Sequence, residues 1–250
     1  MMHHKAGLAK ATPALMEFAE ENASAMYLFS ALTCLYTYAT LRQTDESVLG
    51  GKPGVAEWIV LSRQSFSIVR MADETLQTGP LGPMFKAGER RSRLRDQVSY
   101  DTFSGAKCLR RLSALITENT PDPRTEEAYR TAIEDLLKIF NVVFAMPMEM
   151  RESSDVFGWP FRLTDGYLEL LQQPTQEALV ILAYFSVLPE LLGSKWWLEG
   201  FGRHLFSKIY PLINDEHLAW IQWPLDQLGW SPDEAKHPRC SYGTPTDAGS

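Results

Sequence analysis

Residues 125–140 read TEEAYRTAIEDLLKIF, and this stretch is the clearest indication of the fold class. Its apolar side chains recur every three or four positions, the spacing that places them on one face of an α-helix. Two prolines in residues 117–124 and the acidic pair after Thr125 favour a helix start at Thr125. The apolar face of this predicted helix comprises Ala128, Ala132, Ile133, Leu136, Ile139 and Phe140.

The same helical spacing recurs on both sides of this stretch, whereas strand signals are scarce. Residues 28–39 follow it after Ser24, a candidate cap, and we expect this helix to face the core. Residues 55–76 indicate a second long helix. We therefore predict an all-α fold, an irregular multi-helix bundle with an internal apolar pocket. It forms one domain over residues 1–232, and a polar, flexible tail follows at 233–250.

Local signals predict where several helices begin and end. The sequence GPLGP at 79–83 indicates a rigid turn, and GWPF at 158–161 indicates an irregular segment. Pro174 suits the first turn of the following helix, Asp165 is a candidate helix cap, and Asn214 is a good cap for a short helix.

The last third is rich in large apolar side chains. Residues 178–185 form the longest apolar run, which is well short of the roughly 20 residues needed to span a bilayer and so predicts a buried helix. Residues 197–209 predict a central helix that is apolar over most of its circumference. Five tryptophans lie within this third: Trp196, Trp197, Trp220, Trp223 and Trp230.

Composition and charge exclude several classes of protein. The 250 residues include 24 Lys and Arg against 31 Asp and Glu, a formal charge of −7, which argues against a general nucleic-acid binder. The three cysteines, Cys34, Cys108 and Cys240, form no C-x-x-C pair, so no disulfide framework or cysteine zinc site is predicted. The first residues lack the apolar core of a secretory signal, and we expect an intracellular protein.

One stretch, residues 86–111, is basic. It carries Lys86, Arg90, Arg91, Arg93, Arg95, Lys107, Arg110 and Arg111 against three acidic residues. A solvated helix face explains this charge, and a surface for an acidic partner or a localisation signal is the alternative.

Familiar catalytic and cofactor signatures are missing from the sequence. It contains no G-x-S-x-G, H-E-x-x-H or G-x-G-x-x-G motif, and Pro53 stands where a phosphate loop after Gly51 and Lys52 requires Ser or Thr. The five histidines form no spaced ligand set, so we predict neither a metal nor a cofactor.

A few polar residues in the aromatic last third are candidates for chemistry. His204 follows Glu199 by five positions and is suited to act as an acid, a base or a hydrogen-bond anchor, or as a structural histidine at the core edge. Asp165 and Tyr167 follow an irregular aromatic segment where a cleft is plausible. The tryptophans either line a hydrophobic pocket or pack in the core.

The order of motifs in the second half resembles the C-terminal regulatory domain of fungal binuclear zinc-cluster transcription factors, the sterol uptake control protein family. The matching pieces are EALVILAYF at 177–185, WWLEG at 196–200, DEH at 215–217, WIQWP at 220–224 and Gly229-Trp230. Earlier pieces agree: His4 and Lys5, residues 25–39, Arg63, and the GPLGP turn at 79–83. The resemblance covers most of the chain and is weaker between residues 85 and 150.

This resemblance implies an all-helical effector domain in which an apolar pocket, occupied by a sterol in the best-known case, controls nuclear localisation and transcription. It also implies a homodimer. The sequence lacks the six-cysteine zinc cluster, so this chain does not itself supply DNA binding. The chain is either part of a larger regulator or a naturally short gene product, and its initial methionine and polar tail favour the second.

Three functional hypotheses follow. The first is a domain that binds a sterol or lipid-like metabolite in the cytoplasm or nucleus, with a pocket lined by Phe29, Tyr36, Tyr184, Trp197, Phe201 and His204. The second is a cofactor-independent cyclase or isomerase of fungal secondary metabolism that uses His204, Glu199, Asp165 and Tyr167. The third is an interaction module in which exposed tryptophans form a dimer or partner surface.

Overall fold

The backbone is helical through most of the residues that the computed structural model describes, 20–41, 57–97, 103, 105–192 and 195–231. No β-strand occurs among these residues, which confirms the all-α prediction. The α-helices are α1 (Ala23–Leu41), α2 (Glu57–Met71), α3 (Asp73–Thr78), α4 (Gly82–Gln97), α5 (Ala106–Asn119), α6 (Pro123–Ala145), α7 (Ser153–Arg162), α8 (Asp165–Gln172), α9 (Gln176–Phe185), α10 (Val187–Glu190), α11 (Phe201–Ile209), α12 (Asp215–Leu218) and α13 (Gln222–Leu228). Single 3₁₀ turns occupy Glu20–Asn22, Met148–Met150, Tyr210–Leu212 and Ala219–Ile221. The predicted tail at 233–250 lies outside the described residues.

Helix α6 contains the stretch that predicted the fold class, and it is longer than that stretch. The Asp122 carboxylate accepts a hydrogen bond from the Thr125 backbone N–H at 2.9 Å, and Pro123 occupies the first helical position. Proline fits there because this backbone N–H has no partner within the helix. The helix therefore begins two residues before Thr125 and continues beyond Phe140 to Ala145.

Helix α9 is the centre of the main hydrophobic core. All eight residues from 178 to 185 are buried, as predicted. The helix packs against α6, α8, α10, α11, α12 and α13, so it has neighbours around its whole circumference. Within the described part of the chain, no helix is both long enough and apolar enough to cross a membrane.

Helices α10 and α11 cross very closely at Gly202. A Cβ atom at this position would overlap the carbonyl oxygen of Ser186 and approach the Glu190 side chain. The Glu190 carboxylate also accepts a hydrogen bond from the Arg203 backbone N–H at 3.1 Å. Burial raises the pKa of Glu190, against the opposing effects of this hydrogen bond and the Arg203 charge.

A partly buried ion pair joins α4 to the start of α7. The Arg91 guanidinium binds the buried Asp155 carboxylate through two nitrogens, one at 3.0 Å, and also donates to the Met150 carbonyl at 2.8 Å. Asp155 accepts the Glu152 backbone N–H in a capping box as well. One of the eight basic residues of 86–111 therefore has a structural role.

Several predicted helix boundaries are wrong. The 158–161 segment is not irregular but lies within α7, where the capping box starts a helix that continues through Pro160. The long helix predicted over 55–76 breaks at Ala72, which separates α2 from α3. The helix predicted over 197–209 begins at Phe201, because residues 196–200 form turns and Gly200 has a positive φ of 72°.

The caps near α8 and α9 also differ from the prediction, whereas the Asn214 cap is confirmed. Thr164, rather than Asp165, caps α8 by accepting the Tyr167 backbone N–H. Thr175 caps α9, so Pro174 precedes the helix instead of lying in its first turn. The GPLGP segment forms the predicted turn, but its last two residues already belong to α4.

Candidate functional site

Five aromatic rings from five parts of the chain meet beside α9. They are Tyr38 of α1, Trp58 of α2, Phe157 of α7, Trp197 of the turn before α11, and Phe201 of α11, and we call them the aromatic cluster. Tyr38 is its centre, with ring centroids 4.4 Å from Phe157, 5.4 Å from Phe201 and 6.0 Å from Trp58 and Trp197. Such distances are typical of aromatic rings in contact.

A stack of rings connects the aromatic cluster to the rest of the core. Trp58 lies parallel to Phe185 at 5.7 Å, and Phe185 lies parallel to Trp159 at 4.7 Å. Trp159 donates its indole N–H to the Ala132 carbonyl at 2.8 Å. Trp58 and Trp159 are thereby fixed as structural residues of the core.

The aromatic cluster contains one chain of hydroxyl groups. The Ser62 hydroxyl donates to the Trp58 carbonyl at 2.7 Å, so the Tyr38 hydroxyl donates to the Ser62 oxygen at 2.5 Å. The Tyr38 oxygen, having donated its proton, retains lone pairs that accept a hydrogen bond. Next to this pair, the Cys34 sulfur lies 3.4 Å from the Ser65 hydroxyl oxygen.

Burial keeps these groups uncharged. It raises the pKa of the Tyr38 phenol well above its usual value, and the nearby Cys34 acts in the same direction. Burial also raises the pKa of the Cys34 thiol, despite hydrogen bonds to Ser65 and Ser62. The Cys34 thiol is therefore protonated at neutral pH, and it does not have the properties of an activated nucleophile.

Trp197 is the least buried member of the aromatic cluster. The other four rings are buried, whereas Trp197 is partly exposed and packs against their edge. It lies in a turn rather than in a helix, and its neighbour Trp196 is 74% exposed. The cluster therefore meets the surface at Trp197.

The structure brings together only part of the predicted ligand-binding set. Trp197 and Phe201 belong to the aromatic cluster, and partly buried His204 lies one turn after Phe201 on α11. Tyr184 lies elsewhere, stacked on Trp223 at 5.4 Å with its hydroxyl donating to the Trp220 carbonyl at 3.1 Å.

Phe29 and Tyr36 also lie away from the aromatic cluster. Because a helix turns by about 100° per residue, both residues lie on the side of α1 opposite Tyr38. Each is partly exposed. The prediction that the 28–39 helix directs its apolar residues to the core is wrong for Leu28, Leu32 and Leu35, which are exposed.

The four residues proposed for catalysis form two separate groups. Asp165 is exposed and forms an ion pair with Arg63 at 2.7 Å, while buried Tyr167 donates its hydroxyl to the Ala178 carbonyl at 2.9 Å. Their helix, α8, packs against α6 and α9. Glu199 is exposed in the turn before α11, and His204 lies on α11 itself. Helix α11 packs against α1, α9 and α10.

Sequence reasoning missed an open groove between the start of α6 and α8. Its volume is about 370 Å³, and polar side chains such as Arg124, Thr125, Glu169 and Gln173 line it. No sequence motif marked it, because its residues come from two helix ends that meet only in the folded chain. The groove is separate from the aromatic cluster.

The remaining basic residues of 86–111 whose side chains are described lie on exposed helix surfaces. Lys86, Arg90 and Arg93 are exposed on α4, where Arg93 pairs with Glu89 at 2.6 Å. Lys107, Arg110 and Arg111 are exposed on α5. This arrangement fits the solvated-face interpretation, and an acidic partner stays a prediction.

No group of three or more His, Cys, Asp or Glu side chains suited to a metal ion occurs within the described ranges. His3, His4, His237 and Cys240 lie outside those ranges. Cys34 and Cys108 are free thiols.

Comparisons with known proteins do not assign this chain to a family. No protein-family model, curated protein or solved structure matches it. The resemblance to the sterol uptake control family therefore depends on the sequence motifs alone and stays a prediction.

Proposed function

We propose that this chain binds a hydrophobic small molecule, a sterol or similar lipid-like metabolite, at the aromatic cluster. The observation that carries the proposal is the cluster itself. Its other four rings pack around the ring of Tyr38, whose hydroxyl is hydrogen-bonded to Ser62 in the interior, and one of the four, Trp197, reaches the surface. A sterol has the matching chemistry, because it presents a large apolar surface and a single hydroxyl group.

The energy of such binding comes from buried apolar area. Burying about 400 Å² of ligand surface contributes roughly 10 kcal/mol at 25 cal/mol per Å², from which association entropy removes a large part. Micromolar or tighter affinity follows. The ligand hydroxyl donates to the Tyr38 oxygen, which retains acceptor capacity while it donates to Ser62.

Binding requires movement of Trp197. Ring separations of 4.4 to 6.0 Å around Tyr38 mean that the aromatic cluster is closed in the present conformation. Trp197 is the wall that moves at least cost, because it is partly exposed and belongs to a turn. Only molecules in which the cluster is open bind the ligand, so the apparent affinity is the intrinsic affinity multiplied by the open fraction.

The test uses dehydroergosterol, a fluorescent sterol, with energy transfer from tryptophan as the signal. Trp197→Ala removes the movable wall, so we expect association to become at least tenfold faster. Trp196→Ala is the matched control, because it removes an adjacent tryptophan that is 74% exposed. Equal association rates for both variants, or no binding by the wild type, would contradict the proposal.

A second pair of variants tests the hydroxyl contact. Tyr38→Phe should weaken sterol binding about tenfold, the effect of losing one buried hydrogen bond. Tyr184→Phe removes the hydroxyl of another buried tyrosine, outside the aromatic cluster, and should leave the affinity unchanged. If both variants bind the sterol equally, Tyr38 is not its partner.

The cyclase or isomerase alternative has no comparable support, because its four residues lie in two separate groups. Mass spectrometry of a fungal lipid extract incubated with the protein distinguishes the two functions. Retention of an unchanged lipid supports binding, whereas time-dependent formation of an isomer absent from the no-protein control supports catalysis. In the cell, we place the binding function in the cytoplasm or nucleus, where a DNA-binding partner would link it to transcription.

A further inference from the structure

Helix α11 begins without a capping side chain of its own. An N-cap residue usually has extended backbone and a side-chain oxygen that accepts an N–H group of the first helical turn. Gly200 occupies this position with a φ of 72°, and it has no side chain to supply such an oxygen. Serine or threonine would be strained in this left-handed conformation. The free N–H groups in the first turn of α11 therefore need an acceptor from another part of the chain.

Glu190, the last residue of α10, supplies that acceptor. Its Oε1 atom accepts the backbone N–H of Arg203 at 3.1 Å, and Arg203 is the third residue of α11, a position that a capping side chain usually reaches. Gly202 leaves room for the carboxylate, because a Cβ atom there would lie 2.9 Å from the Glu190 Cγ and 3.1 Å from the same oxygen. The helix dipole also favours a carboxylate at this end. Glu190 therefore acts as the N-cap of α11 from the neighbouring helix.

The start of α11 positions two of the five rings of the aromatic cluster. Phe201 is its first residue, with its ring 5.4 Å from that of Tyr38 and 5.6 Å from that of Trp58. Trp197 lies in the preceding turn, which is hydrogen-bonded to the helix start, since the Phe201 N–H donates to the Leu198 carbonyl at 2.9 Å. A shift of the helix start therefore moves both rings.

The hydrogen bond of Glu190 closes the base of the connection between the two helices. Residues 191–200 join α10 to α11, so Glu190 and Arg203 lie at its two ends. A second tie is the ion pair between Lys195 and Glu152 at 3.9 Å, but both side chains are partly exposed, and such pairs contribute little. The Glu190 carboxylate is half-buried and accepts at a shorter distance. It is therefore the stronger of these two ties.

We propose that Glu190 is the positioning residue of the aromatic cluster: by capping α11 it holds Trp197 in the closed position and so controls how often the cluster opens. This inference rests on the proposed function, in which movement of Trp197 admits the ligand. Without the capping oxygen, the closed conformation leaves an N–H group of α11 without its acceptor, whereas water reaches that group in the open conformation. Loss of the cap therefore shifts the population towards the open conformation.

The first test needs no ligand. Hydrogen exchange followed by mass spectrometry compares Glu190→Met with Glu190→Gln, because both side chains match glutamate in length but only glutamine keeps an oxygen acceptor. Amides of residues 195–203 should exchange about fivefold faster in Glu190→Met than in the wild type, the effect of losing a helix cap. In Glu190→Gln they should stay within about twofold of the wild type. Amides of residues 178–185 are the internal control and should not change.

Glu216→Met is the matched control variant. Glu216 is an exposed glutamate in the first turn of α12, where Asn214 supplies the cap. This variant should leave the exchange of residues 195–203 unchanged. Glu190→Ala replaces Glu190→Met if the methionine disturbs the crossing at Gly202 and lowers the helical circular dichroism.

The second test measures the association of dehydroergosterol with the same variants. Glu190→Met should associate about fivefold faster than the wild type, because a larger fraction of molecules is open. Glu190→Gln and Glu216→Met should associate at the rate of the wild type.

The two tests separate this inference from the proposed function. Unchanged exchange in Glu190→Met would overturn the role of Glu190, whether or not the sterol binds. Equal acceleration in Glu190→Gln or Glu216→Met would do the same, and so would faster exchange without faster association in a protein that binds the sterol. Faster exchange in Glu190→Met alone, in a protein that binds no sterol, would support the role of Glu190 in holding Trp197 and contradict sterol binding instead.

Discussion

Helices α1 and α9 are both strongly apolar, yet they differ in how much of that surface the fold uses. Residues 178–185 of α9 contain no charge, and all are buried among six neighbouring helices. Helix α1 also contains no charge, but it packs mainly against α2, α3 and α11, and its leucines stay exposed. Apolar composition therefore predicts burial only where neighbours exist on every side.

Removing a leucine side chain from each helix should reveal the largest difference in stability between α9 and α1. Leu182→Ala in α9 should lower the free energy of unfolding by about 3 kcal/mol, because it leaves a cavity in a closed core. Leu32→Ala in α1 should change it by less than about 0.5 kcal/mol. Urea unfolding measures both values. Similar losses in the two variants would mean that Leu32 is enclosed in the monomer.

Glycine substitutions compare the closely packed centre with the edge. Gly202→Ala should cost about 2 kcal/mol, because the added methyl group forces α10 and α11 apart. Gly88→Ala in α4 should stabilise the protein by about 0.5 kcal/mol, since its Cβ meets no atom within 4 Å and glycine is a poor helix former. Thermal unfolding detects the opposite signs. Two shifts in the same direction would contradict the assigned packing.

The hydroxyl of Tyr38 should make a smaller contribution to stability, and this contribution should depend on pH. Tyr38→Phe should lower stability by about 1 kcal/mol at neutral pH, since it removes the hydrogen bond to Ser62. Burial raises the pKa of Tyr38 above that of the unfolded chain, so its contribution is complete below about pH 10 and is lost as the pH rises further. Urea midpoints from pH 8 to 11.5 should fall less steeply in Tyr38→Phe. Parallel curves would show that Tyr38 does not contribute to alkaline unfolding.

The ionisation of Tyr129 and Tyr167 provides a spectroscopic test of the same effect of burial on the pKa. Burial raises the pKa of Tyr129 to about 12 and that of Tyr167 well above its usual value. We expect phenolate absorbance from these groups to appear together with unfolding above pH 10, because the folded state holds them protonated. Absorbance at 295 nm and circular dichroism at 222 nm should change over the same pH interval. A phenolate signal from all buried tyrosines in fully helical protein would contradict this expectation.

The sequence was sufficient to predict the helical class and the buried centre. Spacing in 125–140 predicted α6, and the uninterrupted apolar run at 178–185 predicted the burial of α9. Both predictions rely on local periodicity or composition. The capping boundaries were less accurate, because side chains such as Asp122 and Thr164 compete with their neighbours for the first free backbone N–H groups.

The candidate site was only partly predictable, for a physical reason. Trp197 and Phe201 were recognised, but Tyr38 and Trp58, which complete the aromatic cluster, gave no signal that distinguishes a site from a core. Helix α1 is apolar on nearly all sides, so periodicity did not show which face meets α2. Phe29 and Tyr36 were grouped with Trp197 and Phe201, although they lie on the side of α1 away from Tyr38. Only tertiary packing determines which aromatic residues meet.

The crossing at Gly202 also has an evolutionary consequence. A residue with any side chain would displace the Ser186 carbonyl, so selection for a folded protein acts on position 202 independently of function. Aromatic residues that contact a ligand are free to diverge when the ligand changes, whereas this glycine is not. Remote relatives should therefore be recognisable by a glycine sixteen positions after the residue equivalent to Ser186, which caps the C-terminus of α9. This should hold even where their tryptophans have been replaced.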